Sequence, residues 1–158
     1  MPHVELSLSD EGGSEEPRRE GPWAGRVSPV RHWARTVAEA DDPCVVLDVD
    51  GMIVASSQSC RDLLGTDGRL APAGSPRDWS GRGLLDVLRL VDLTAAGGPL
   101  ATWEAERIPP LLALATGNLA RGLIRVRLGD LTRTVDVVST PVSDGAAVSG
   151  SLSFFRRI

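Results

Sequence analysis

The chain has no lysine and no tyrosine, one asparagine (Asn118), one glutamine (Gln58) and two histidines (His3 and His32). Each shortage removes something. With no histidine after residue 32, the body of the chain offers no imidazole to a haem iron, and no Cys/His cluster has zinc spacing. No Ser/His/Asp set, GxSxG elbow or P-loop is present. Cysteine is limited to Cys44 and Cys60, expected to be reduced, buried thiols because no secretion signal precedes them. No apolar run approaches the roughly 20 residues of a membrane span. The opening MPHVELSLSDEGGSEEPRRE lacks both the basic start and the apolar core of a signal peptide. The chain is therefore read as cytoplasmic, with no membrane partner. All 17 basic residues are Arg, a composition expected of a GC-rich bacterial genome. They are scattered, with Arg18-Arg19 and Arg156-Arg157 the only adjacent pairs, and the net charge is −4. Nucleic-acid binding needs clustered positive charge, so none is expected.

What is present is 42% apolar, enough for the core of one domain. Residues 1–27, rich in Ser, Glu, Gly, Pro and Arg, read as a disordered tail that includes Trp23. An amphipathic helix is predicted over 28–40. Ser28 caps it, Pro29 takes its first position, Val30, Trp33 and Val37 share a face, and Asp41-Asp42-Pro43 stops it. PCVVLDVD and MIVASS read as strands joined at Asp50-Gly51, a hairpin over 43–57. Ser57 or Ser59 caps a short helix, SCRDLLG, which Gly65 closes. Residues 66–83 form a long Gly/Pro/Asp-rich loop. Gly81-Arg82-Gly83 at its end reads as a helix-entry turn, the alternative being amides offered to an anion. Helices are predicted in GLLDVLRLVDL and from Ile108, with Pro109-Pro110 in the first turn and Gly117 or Asn118 at the end. Three alternating segments follow: RGLIRVRLGD, LTRTVDVVSTPVSD and AAVSGSLSFFRRI, an antiparallel meander. The predicted fold class is α+β, one five-stranded antiparallel sheet with short helices on one face, preceded by the amphipathic helix.

This order of elements resembles the PAS family across about residues 41–158. The matching features are Asp42-Pro43, the apolar strand, and Asp50-Gly51 followed by Ile53. Then come Leu63-Leu64-Gly65, the segment IPPLLALATG, and Pro141…Asp144-Gly145…Gly150 in the closing hairpin. Many PAS domains have Asn at the end of the second strand; here Ser56-Ser57 stands there, which passes the capping role to a serine hydroxyl. The resemblance implies a sensory or signalling module, not an enzyme, that binds a small apolar ligand or a protein partner and relays the event through a flanking helix or a dimer.

Two rival motifs share the same stretch. Asp48 and Asp50 have the spacing of the HAD-phosphatase nucleophile loop, but Met52 stands in place of the usual Thr, and no later acidic pair suits Mg²⁺. Asp50 is read instead as a turn residue and Asp48 as a solvent-facing strand residue. Ser59-Cys60-Arg61-Asp62-Leu63 resembles the flavin-reactive box of LOV domains. Cys60, however, directly follows the second strand, and the chain lacks the Asn and Gln residues that would pair with the flavin edge. Neither a LOV-type flavin adduct nor His-ligated haem is expected, and the cofactor is left unknown.

By the same resemblance, the cavity candidates are Trp79, Leu84, Leu88, Trp103, Leu112, Leu123, Val126, Val135 and Phe154, an apolar lining. The interaction candidates are Val30, Trp33 and Val37 on the leading helix and Val138 and Phe155 on the outer sheet face. There they are covered within the chain or by a second copy in a homodimer. A separate signalling protein, or an effector further along a longer chain, completes the expected partners.

Overall fold

The computed structural model describes residues 27–65 and 78–158. The tail of residues 1–26, with Trp23, and most of the loop over 66–83 lie outside the described residues.

Helix α1 (Pro29–Ala38) starts at Pro29, whose fixed φ suits the first turn, and buries Val30 and Val37. Strands β1 (Cys44–Asp48) and β2 (Ile53–Ser56) form the first hairpin. Its turn needs Gly51, which sits at φ 75°. The Asp48 carboxylate closes that turn by accepting from the amides of Asp50 (2.9 Å) and Met52 (3.0 Å). Asp48 is therefore a turn clamp, not the plain solvent-facing residue expected.

Helix α2 (Gln58–Leu64) is capped by Ser57. The Ser57 hydroxyl accepts from the amides of Cys60 (3.1 Å) and Cys44 (3.0 Å) and donates to the Asp42 carbonyl (2.8 Å). One buried serine thus joins the start of β1, the end of β2 and the start of α2. Gly81-Arg82-Gly83 does not offer its amides to an anion. The Gly81 amide donates to the Ile53 carbonyl (2.8 Å), and the Arg82 carbonyl accepts from the Ile53 amide (2.8 Å). The segment is clipped to the open side of β2.

The stretch read as one helix, GLLDVLRLVDL, is instead helix α3 (Leu84–Val87) followed by a two-residue strand β3 (Leu90–Val91). The chain turns extended at Leu88 (φ −92°, ψ 125°) because Leu90 and Val91 pair with Val126 and Arg125. Sheet pairing overrides a helical apolar pattern here. Helix α4 (Thr102–Ala105) precedes α5 (Pro109–Thr116), which ends at Gly117 in the left-handed region (φ 66°). Strands β4 (Ala120–Leu128), β5 (Leu131–Asp144) and β6 (Ala147–Arg157) then form the expected meander.

The sheet has six strands in the order β2-β1-β6-β5-β4-β3, one more than the sequence predicts, and every pairing is antiparallel. Two apolar clusters lie on its two faces. The larger gathers Val45, Leu47, Trp79, Leu84, Val135 and Phe155 beneath the short helices. The smaller gathers Val30 and Val37 of α1 with Cys44, Val46 and Leu152. Alternate residues of β1 feed opposite clusters, as strand geometry requires.

Candidate functional site

The inner face is packed. Leu84 (1% exposed), Leu88 (4%), Val126 and Val135 (both 0%) join Trp79 in one cluster, so these five cavity candidates lie together as core. The other four lie elsewhere. Trp103 on α4 is 62% exposed, and Leu112 and Leu123 line a groove at the sheet edge. Phe154 faces outward and is 44% exposed, while Phe155 takes the inward place at 3%. Phe154 and Phe155 thus exchange the sides expected of them. The register shift at Val142/Ser143 turns Val148 to the α5 side, beside Gly117, while Leu152 and Phe154 share the outer face. Leu152 is buried there by α1, and Phe154 lies beyond the helix's cover.

On the outer face, Val30 and Val37 are buried between α1 and the sheet, and Trp33 stays more exposed. Val138 is half-buried and pairs directly with Phe154 across β5 and β6. Beside them Asp136 accepts two bonds from the Arg121 guanidinium (Nε at 3.1 Å and Nη2 at 2.7 Å). Arg156 lies 3.5 Å from the same carboxylate. The Arg121 hydrogen bonds hold the Asp136 carboxyl below the usual carboxylate range. The outer face beyond α1 is thus an apolar strip, Leu123, Val138 and Phe154, laced with one ion-pair cluster.

The inner face near α5 is made of small residues. Ser151 donates to the Pro110 carbonyl (3.0 Å), Ser139 and Ser153 share a hydrogen bond (2.7 Å), and a Cβ on Gly122 would sit 3.4 Å from the Pro109 ring. These residues let α5 approach β4, β5 and β6 closely. Cys44 and Cys60 are both buried and free, and burial pushes both thiols up, away from the reactive thiolate.

A groove of about 210 Å³ runs along the edge of β4. Leu90, Val91, Leu100, Glu104, Arg107, Pro109 and Arg121 to Arg125 are among the residues that line it. Sequence reasoning missed this site, apart from Leu112 and Leu123. The available signal was strand parity: Leu123 and Val126 are three residues apart and cannot face the same way on one strand. Among the described residues, no cluster of three or more His, Cys, Asp or Glu side chains could hold a metal ion. No helix among them is long and apolar enough to cross a membrane.

A single antiparallel sheet with short helices on one face and a flanking helix on the other defines an α+β domain. Similar solved structures make the fold specific. The PAS domain of a protein from Colwellia psychrerythraea is 18% identical, covers 82% of this chain and 96% of its own, and superposes with a TM-score of 0.53. The light state of the Aureochrome1 LOV photoreceptor is 13% identical over 78% of this chain and 87% of its own (TM-score 0.51). The Vibrio cholerae VqmA dimer, without its target DNA, is 17% identical over 80% of this chain and 50% of its own (TM-score 0.53). No family model and no curated relative matches the sequence. The chain has the PAS fold.

Proposed function

We propose that this domain is a non-enzymatic signalling module that works through a protein contact on its outer sheet face, made first with a second copy of itself. One observation carries the reading. The inner face is filled by packed side chains, while the outer face leaves Phe154 (44% exposed) and Leu123 (48%) uncovered beside α1, which itself presents Trp33 (37%). Apolar side chains gathered in one patch mark an interaction surface. A twofold contact buries such a patch against its twin, the commonest closed symmetry. The PAS fold of the photoreceptor and VqmA structures supports a sensory role by analogy of fold. A change in how α1 lies on the sheet would then be the signal. Asp48, the residue that would be the nucleophile of a phosphatase, is engaged with turn amides, which favours the non-enzymatic reading.

Native mass spectrometry of the full chain tests this. A dimer is expected at micromolar concentration, converted to monomer by Phe154→Arg with an unchanged circular dichroism spectrum. A monomeric wild type would overturn the proposal. The same spectrum reads small-molecule occupancy. A retained apolar compound, released on denaturation, would make the inner cluster a ligand site that opens on binding.

A further inference from the structure

The two outer edges of the sheet are covered to different extents. The edge of β2 is clipped, because Ile53 exchanges main-chain hydrogen bonds with Gly81 and Arg82. At the other end β4 is covered only by β3, two residues long, which pairs with Arg125 and Val126. Strand alternation tells what this leaves open. The Arg127 amide donates to the Arg89 carbonyl (2.8 Å), so the odd-numbered residues of β4 direct their N–H and C=O groups away from β5. Arg127 and Arg125 meet Arg89 and Val91 on that side. Arg121 and Leu123 meet no main-chain partner there among the described residues.

The cover is a strap, residues 89–100. Beyond Val91 it turns away from β4, since the Asp92 amide donates to the Gly98 carbonyl (2.8 Å). It returns through Gly97 (φ 57°) to a single bridge between Val91 and Pro99. Two arginines of β4 reach over the edge to tie it down. Arg125 donates to the Thr94 carbonyl (2.8 Å) and Arg127 to the Gly97 carbonyl (2.6 Å). The same register sets Arg89 opposite Arg127, and like charges facing each other across a strand pair weaken it.

Lifting the strap would open the odd residues of β4 from Arg121 to Arg127 and leave Arg125 and Arg127 without their carbonyl acceptors. Arg121 would stay with Asp136. A new strand on this edge places residues two apart opposite Arg125 and Arg127, and carboxylates there would pair with both guanidiniums. The residue between them points inward, where Leu90 now packs against the inner cluster, and calls for an apolar side chain. Charge complementarity therefore selects a segment in which acidic and apolar residues alternate. The β4 strand of a second copy fits poorly, because its Arg121, Arg125 and Arg127 would face arginines. We infer that residues 89–100 are a displaceable strap, held within the chain on the β4 edge to which an extended, alternately acidic and apolar segment of a partner protein adds as a strand. The inference is independent of the dimer reading, which rests on Phe154.

Amide hydrogen exchange of the full chain, read by NMR with and without the capped peptide Val-Glu-Val-Glu-Val, tests it. Without peptide, the Arg125 and Arg127 amides are expected to exchange about tenfold faster than those of Ile124 and Val126, which bond to β5 from the same strand. Arg89→Glu sets an opposite charge against Arg127. It should slow Arg125 and Arg127 by about threefold and leave Ile124 and Val126 unchanged. Peptide at millimolar concentration should protect the Arg121 and Leu123 amides and shift the resonances of residues 89–100. Val-Gln-Val-Gln-Val should bind about fivefold more weakly. Exchange of Arg125 and Arg127 in step with Ile124 and Val126 would mean that the strap opens only with the sheet, and would overturn the inference. So would unprotected Arg121 and Leu123 in the presence of peptide, or equal binding of the two peptides. None of these outcomes bears on the mass of the dimer, so the two readings fail separately.

Discussion

Ser57 is fully buried and satisfies three main-chain groups with one hydroxyl, which makes it the most demanding small residue in the domain. Ser57→Ala loses a helix cap and strands the buried Cys44 amide, so a loss of about 2–4 kcal/mol is expected in urea unfolding. Ser59→Ala should cost a small fraction of that. The role was legible in the sequence, since a hydroxyl residue ahead of a short helix is a cap signal; that it also ties down β1 was not. Asp136 makes a pH-dependent contribution. Its carboxyl is held below its unfolded range by Arg121, so the stabilisation is present above the ordinary pKa of about 3.9. It is lost as pH falls through the lower folded value. Asp136→Asn should therefore be less stable than wild type at pH 7, and the gap should close in thermal melts taken below about pH 3.

At the scale of elements, α1 rests on the sheet because Gly150 has no side chain. A Cβ there would run into the Leu47 carbonyl and lie 2.6 Å from a Val30 methyl. Gly150→Ala must move either β1 or α1, so it should lower stability and expose α1, read as faster exchange at the α1 amides. Val37→Ala removes two buried methyl groups from the same contact and should cost about 2 kcal/mol. The amphipathic pattern of α1 and the turns of the meander were readable because each is local chemistry: Pro29 at a first turn, glycine where φ is positive. The division of residues 84–91 into α3 and β3 was not readable. Its cause is the edge of β4, more than thirty residues further along the chain.

For the whole molecule, the test is whether the inner cluster is core or pocket. As core, Leu88→Ala should cost about 2–5 kcal/mol and leave a hollow that takes up a small apolar probe. An existing ligand site would instead lose bound compound with little change in stability. The PAS fold was legible from the order of turns, caps and alternating strands. The site was legible only in part, as an apolar set whose members then divided between core, surface and groove.

By itself the sequence determined the hairpin turns, the capping serine and the alternation of side chains along the long strands, all consequences of backbone sterics and local hydrogen bonding. Only the tertiary structure decided which of the two faces is inside. Alternation fixes parity, and both faces of this sheet are apolar because helices lie on one and α1 on the other. Phe154 and Phe155 are neighbours of equal hydrophobicity, and nothing in either residue says which side the helices will take. That depends on where α1 ends its cover, a matter of packing between distant segments.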